Sequence, residues 1–364
     1  MTVLAASRVV TPTGILSPGL VETDGDHVTS VVPTTGPVPD RVLVPGFVDL
    51  QVNGIDDVDV GDADEAGWDR IDGHLAAQGT TSWLPTLVTR LWDEYPSRLE
   101  AVARAQARGG PRPAIVGAHV EGPFLGGRLG AHRPGAVVDP TPERVASLHP
   151  VVRLVTLGAE VPGAVEAIRA LSGRRTLCAV GHSEATFAQA TAAVDAGARL
   201  VTHGFNAMSP LHHREPGVVG AFLTDDRVAV SLIADGVHVH PAALDVAFRC
   251  KPDGRVVLVT DAVAWRTPWA ERMGLRHEGG APRLADGTLA GSSLTMDVAV
   301  GLVVARAGVS LERAVRAASA TPAALLDLHD RGALAAGRRA DVVALDPTTL
   351  RCTETWIGGV QVHG

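Results

Sequence analysis

The chain is almost devoid of lysine. Lys251 is the only one, and arginine carries the rest of the positive charge. Cysteine is also scarce. Cys178, Cys250 and Cys352 are odd in number, far apart and form no CxxC pair. That excludes a disulfide scaffold and favours a reducing, cytoplasmic setting. Aromatic residues make up 4% of the chain, so alanine, valine and leucine must fill the interior. No apolar run approaches the ~20 residues that span a bilayer. The N-terminus has no charged segment followed by an apolar core, so the chain reads as soluble and unsecreted. An excess of positive charge is missing too. A net charge of −8 argues against nucleic acid or an anionic membrane as the main partner.

What is present points to a large packed protein, with 46% apolar and 20% charged residues. Residues 1–44 read as short strands broken by turns, with too little apolar content to stand alone. From Arg41 the rhythm changes. Eight apolar, β-type runs alternate with Ala-rich helical patterns: Val42–Leu50, Thr81–Leu87, Ala114–Val120, Val152–Leu157, Thr176–Val180, Arg199–Thr202, Val228–Ala234 and Arg255–Thr260. Runs apolar throughout are parallel strands buried on both faces. Eight in series predict an α/β fold, a (β/α)8 TIM-type barrel over 45–330. The rival is an open doubly wound sheet. The first strand–helix junction, Gln51-Val52-Asn53-Gly54-Ile55, lacks the GxGxxG that such a sheet would carry. Thr321 reads as a helix cap with Pro322 in the first turn. The chain becomes β-like again after residue 331. The two ends, 1–44 and 331–364, are expected to pair into one small β-sandwich domain.

In such a barrel the βα loops converge at the C-terminal ends of the strands. Metal-competent side chains fall there repeatedly: Asp49, Gln51 and Asn53 after the first run, His119 and Glu121 after the third, His182 after the fifth, His203 after the sixth. Asp235, His238 and His240 follow the seventh, and Asp261 the eighth. A core histidine explains any one of these but explains the set poorly. Two neutral imidazoles and a carboxylate suit a borderline divalent ion with one position left open, and Glu121, His182 and His203 supply them. Asp261 suits the carboxylate that takes a proton from water and passes it to a leaving nitrogen. Its bland alternative is a helix cap. After His203 the loop offers backbone N–H groups, an amide at Asn206 and a cation at Arg214, a setting for an anion.

The ordered blocks Pro45-Gly46-Phe47-Val48-Asp49, His119-Val120-Glu121-Gly122-Pro123, Gly181-His182-Ser183, Thr202-His203, Asn206-Ala207-Met208, Arg214-Glu215-Pro216-Gly217, Asp235-Gly236-Val237-His238, Val259-Thr260-Asp261-Ala262 and Gly291-Ser292-Ser293 resemble the amidohydrolase superfamily. Within it they are similar to the N-acetylglucosamine-6-phosphate deacetylases. The resemblance implies a homodimeric barrel enzyme, a metal-dependent hydrolase of C–N amide bonds. It would release acetate from the 2-acetamido group of N-acetylglucosamine 6-phosphate. It implies Glu121, His182 and His203 as metal ligands, and Asp261 as general base and acid. His132 would polarise the acetyl carbonyl. Ala131, His132, Asn206, Ala207, Arg214, Asp235, His238, Leu289 and Ser292 are the implied substrate contacts. In some relatives the counterpart of Arg214 reaches across the dimer.

The superfamily's usual His-x-His after the first strand is replaced here by Gln51 and Asn53. Amides are poor zinc ligands beside imidazoles, so the expectation is one divalent ion per subunit, zinc first, with iron, cobalt, manganese, nickel or cadmium as alternatives. His119 is expected to hydrogen-bond beneath the site. A second departure is the Trp265–Trp269 segment, which bears on substrate choice only if it covers the pocket. Two other readings stay open. One keeps the chemistry and changes the substrate, to N-acetylgalactosamine 6-phosphate or another N-acyl amine. The other is a non-catalytic binding or assembly protein.

Overall fold

The computed structural model describes residues 1–272 and 274–364, the side chains of Trp269 and Arg272 apart. Eight strands lie side by side in chain order, each parallel to the next: Phe47–Asp56, Thr80–Val88, Ala118–Glu121, Val152–Leu157, Leu177–Val180, Leu200–Val201, Ala229–Ile233 and Val256–Val259. The ring closes where the last meets the first. The Asp261 backbone N–H donates to the Gln51 carbonyl at 2.9 Å, and Thr260 Oγ1 donates to Asp49 Oδ2 at 2.6 Å. The continuation Ala262–Ala264 then pairs with the first strand. This is the (β/α)8 barrel. Its strands are buried almost throughout because one face packs into the barrel and the other under the helices.

The surrounding helices begin where side chains can take up the first free N–H groups. Asp64 caps Glu65–Ala77, and Ser310 caps Leu311–Ala318. Thr186 and Gln189 form a reciprocal box at the start of Phe187–Ala196. The helix over Ala320–Leu325 begins two residues earlier than its Thr321-Pro322 pair suggests, and Ser319 is its cap residue. Among the described residues no helix is long and apolar enough to cross a membrane.

Both ends of the chain build a small β-sandwich. One sheet has three strands, Thr2–Ala6, Gly19–Asp24 and His27–Pro33. The other joins Arg8–Thr11, Gly14–Leu16 and Val42–Pro45 to Val342–Leu345, Cys352–Ile357 and Val360–His363. Leu4, Val9, Val21, Val28, Leu43, Val342 and Trp356 fill the space between the sheets. Neither terminal segment owns this core alone, which is why each reads as too poor to fold. The apolar run Val42–Leu50 proves to be two strands. Val42–Pro45 belongs to the sandwich, and the barrel strand starts at Phe47. Gly46 makes the change of sheet, where a Cβ would lie 2.1 Å from Thr81 Oγ1.

Candidate active site

Three side chains reach the barrel mouth by the same device. His182, His203 and Asp261 each stand two residues past the end of a strand, after Val180, Val201 and Val259. Each has a left-handed backbone, with φ of 49°, 33° and 49°. Such a conformation is uncommon outside glycine and persists only where neighbours over-determine it. They do so here. The His203 N–H donates to Ser231 Oγ at 2.8 Å, and the Gly204 N–H to the Ser231 carbonyl at 2.7 Å. The Asp261 carbonyl accepts from Ser292 N at 2.8 Å. The sharp turn swings each side chain off the strand and over the barrel axis. Glu121 needs no turn, because it ends its strand facing inward.

The result is a buried cluster. Glu121 Oε1 lies 3.2 Å from His182 Nε2 and 2.9 Å from His203 Nε2, and the two nitrogens are 3.0 Å apart. Glu121, His132 and His182 also present ligand-competent atoms within 4.8 Å of one another. Tautomers decide between the third partners. His182 Nδ1 donates to the Arg128 carbonyl at 2.9 Å, which leaves its Nε2 lone pair facing the cluster. His132 is the reverse. Its Nδ1 meets the Thr89 N–H at 3.3 Å and Thr89 Oγ1 at 2.8 Å; with Nδ1 accepting there, Nε2 carries the hydrogen and lies 3.9 Å from Glu121 Oε2. With His182 Nδ1 donating to the Arg128 carbonyl, the neutral ring offers Nε2 as an acceptor 3.2 Å from the Glu121 carboxylate, a pair that a cation between them satisfies. His203 Nδ1 is buried without a hydrogen-bond partner, so its ring is held from the Nε2 side. The donor set of Glu121, His132, His182 and His203 fits a divalent ion.

Asp261 lies opposite. Gln51 Nε2 donates to its Oδ1 at 3.0 Å and to Glu121 Oε1 at 3.0 Å, while Asn53 Nδ2 reaches the same Oδ1 at 2.7 Å. The two amides that replace His-x-His thus bridge the carboxylates as donors. Burial pushes Asp261 up to about 7, and the Glu121 charge adds to it against the pull of His203 and His238. Burial also opposes the charge on Glu121, yet the hydrogen bond from His203 Nε2 and the surrounding imidazoles hold that carboxyl well below the usual range. Burial lowers His132 to about 3, so it is neutral. His119 is likewise lowered to about 4 by burial. It lies beneath the cluster, tied through Nδ1 to Thr86 at 3.2 Å and through Nε2 to Thr156 at 2.8 Å.

A cavity of about 430 Å³ opens over these groups. Its wall includes Ala131, His132, Asn206, Ala207, His238 and Leu289 of the expected substrate contacts, and an apolar stretch of Ile233, Val263, Ala264, Leu275 and Leu284. Three expected contacts lie elsewhere. Asp235 stands behind His238, accepting from its Nδ1 at 2.6 Å and from its backbone N–H at 2.8 Å. Burial opposes the Asp235 charge, but these bonds hold its carboxyl low. Ser292 is fully buried and donates to the Thr260 carbonyl at 2.5 Å, bracing the backbone of Asp261. Arg214 is on an exposed loop beside His213, outside this cavity. Trp265 packs on His277 and off the cavity wall, and the Trp269 side chain lies outside the described residues. A depression of about 470 Å³ around Arg153 and Arg174, at the opposite end of the strands, holds no such cluster.

Sequence reading missed Thr89, Arg128 and Asp59. Thr89 closes the second strand's end, where a polar residue was there to be noticed. Arg128 acts through its carbonyl, which no residue type advertises.

Residues 42–362 match the amidohydrolase family. The chain is 38% identical to N-acetylgalactosamine-6-phosphate deacetylase of Escherichia coli over 371 residues, covering 98% of each. It is 39% identical to human N-acetylglucosamine-6-phosphate deacetylase, covering 88% of this chain and 83% of that one. The fold superposes with TM-score 0.92 and 35% identity on N-acetyl-D-glucosamine-6-phosphate deacetylase of Mycobacterium smegmatis, a mutant solved in complex with N-acetyl-D-glucosamine-6-phosphate, covering 100% and 99% of the two chains.

Proposed function

The chain belongs to the amidohydrolase family, and from that footing we propose that it removes acetate from the 2-acetamido group of an amino-sugar 6-phosphate, N-acetylglucosamine 6-phosphate first. The observation that carries this reading is the pair of opposite tautomers beside one carboxylate, His182 offering a lone pair and His132 an N–H, with Asp261 across from both. Glu121, His182 and His203 would hold one divalent ion, for which the donor set favours zinc. When bound, that ion supplies Lewis acidity, acidifying a water and polarising the acyl carbonyl.

The chain's own residues do the rest. Asp261 takes the proton that water loses as its oxygen bonds to the carbonyl carbon. The bonds to Asp261 both arrive at Oδ1, which leaves Oδ2 for that proton. His132 Nε2–H donates to the carbonyl oxygen as it gains negative charge. Asp261 then returns its proton to the nitrogen as the C–N bond breaks, so that water and amide become free amine and acetate. Asn206, Ala207 and His238 would hold the sugar phosphate, with Asp235 fixing the His238 ring. Arg214, exposed and away from this cavity, supports a homodimer in which it serves the neighbouring subunit. Every proposed site residue falls within 45–330, the proposed catalytic domain. The segments 1–44 and 331–364 would form the other domain. Three free cysteines support a cytoplasmic location.

The E. coli relative that covers 98% of both chains favours a second substrate, N-acetylgalactosamine 6-phosphate. Acetate release by the zinc-loaded protein tests both. The two phosphates are compared with each other and with free N-acetylglucosamine. The larger kcat/KM names the epimer, and equal turnover of the unphosphorylated sugar would remove the phosphate requirement.

A further inference from the structure

Asp59 is the unexplained carboxylate of the cavity. It follows the first barrel strand in a short antiparallel return, where it pairs with Gly54, next to the Asn53 that donates to Asp261. It lines the same cavity as Glu121, His132, His182 and Asp261. One oxygen is spent. Oδ1 accepts the Gly61 N–H at 2.7 Å, capping the short helix Val60–Asp62. Among the described residues no hydrogen bond or ion pair occupies Oδ2, and the Arg90 guanidinium stands beside Gly61 without forming an ion pair with the group. Burial pushes its carboxyl up, against the charge of Arg90. A helix cap does not need a charge, since serine or asparagine caps as well as aspartate. In a cavity that takes an anion, a second negative group weakens binding unless it makes a contact of its own. The neighbouring wall at Val263, Ala264 and Leu275 is apolar, so a sugar hydroxyl laid there would find no other side-chain acceptor on those residues.

Resting on the deacetylase reading, we propose that Asp59 is a substrate-recognition residue whose Oδ2 accepts a hydrogen bond from one ring hydroxyl of the amino sugar. The bond is charge-assisted, and the carboxylate rejects the phosphate from that side of the cavity, which leaves the phosphate to the wall carrying Asn206 and His238. Asp59 thereby fixes which way the ring lies over Asp261.

The experiment is steady-state kinetics of the zinc-loaded protein with Asp59→Asn and Asp59→Ser, both of which keep a capping oxygen. The substrates are N-acetylglucosamine 6-phosphate and its 1-, 3- and 4-deoxy forms. On the parent substrate both variants should raise KM about tenfold, with kcat within about threefold. For one deoxy form the unsubstituted protein should already show the raised KM, and the variants should add nothing to it. Unchanged KM in Asp59→Asn would reduce the residue to a cap. An equal rise on all three deoxy forms would reduce it to a field effect. Either result overturns the proposal. Should a variant be misfolded by its melting curve, the deoxy series on the unsubstituted protein still decides, since no loss on any of the three removes the contact. Failure of the unsubstituted protein on the parent sugars would instead remove the deacetylase reading beneath it.

Discussion

Buried charge is handled in two ways in this molecule. In the β-sandwich, Asp341 is buried and answered by protein alone: Arg339 Nε donates to it at 2.9 Å and the Gly358 N–H at 2.9 Å. At the barrel mouth, Glu121 and Asp261 are buried with only amides and imidazoles against them, and no arginine or lysine pairs with either among the described residues. The backbone differs in the same sense. His182, His203, Phe205, Ala207 and Asp261 all adopt left-handed φ at the mouth. The sandwich is complete as a fold. The mouth gathers carboxylates and imidazoles on strained backbone, a donor set suited to a cation and a polar substrate.

That contrast can be broken from either side. The largest effect belongs to Asp261. Asp261→Asn should lower kcat about 10²- to 10⁴-fold while the protein still takes up one divalent ion and melts no earlier than before. Loss of the ion in that variant would show that Asp261 holds metal and does not merely move a proton. Next comes His132. Its replacement by alanine should cost about 10²- to 10³-fold in kcat with metal content unchanged. An ion-free His132→Ala protein would mean that His132, and not His203, completes the ligand set.

The sandwich should answer in stability and not in rate. Leu43 is fully buried between its sheets, and Leu43→Ala should cost about 2–5 kcal/mol in denaturant unfolding with kcat per folded molecule intact. A fall in kcat would show that the sandwich shapes the mouth as well as closing the fold.

The smallest effect is a proton count. Asp261 is pushed up to about 7, and the Glu121 and Asp261 charges raise His203 against the effect of burial. Asp261 is therefore part-protonated in the metal-free protein near pH 7, and a cation lowers both groups. Metal binding should release protons, and affinity should rise with pH through the Asp261 range. Calorimetry in buffers of different ionisation heat reads the count. Uptake, or no exchange, would contradict the charges assigned here.

Much of this was legible in the residues. Strand ends carrying Glu121, His182, His203 and Asp261 stand out because apolar runs stop there and the chemistry begins. The mismatch at Val42–Leu50 arose because two consecutive strands of different sheets are equally apolar. Ser292 and Asp235 carry the right groups beside the right neighbours, yet the fold turns one into a brace for Asp261 and the other into a clamp on His238. Nothing in a one-dimensional pattern separates a side chain that faces the cavity from one that stands a layer behind it.

By itself, then, the order of residues determined an eight-stranded barrel and a shared terminal sandwich, and it marked four side chains as candidates to hold or serve a divalent ion. Periodicity and donor chemistry are local properties, readable one segment at a time. The tertiary structure alone decided the protonation of the histidines, the conversion of Gln51 and Asn53 into donors between carboxylates, and the exposure of Arg214 outside the cavity. Each of these depends on a partner brought from a distant segment, the Arg128 carbonyl for His182, the Thr89 N–H for His132 and the Asp261 carboxylate for the two amides. A hydrogen bond is set by distance and direction in space, which only the folded chain supplies.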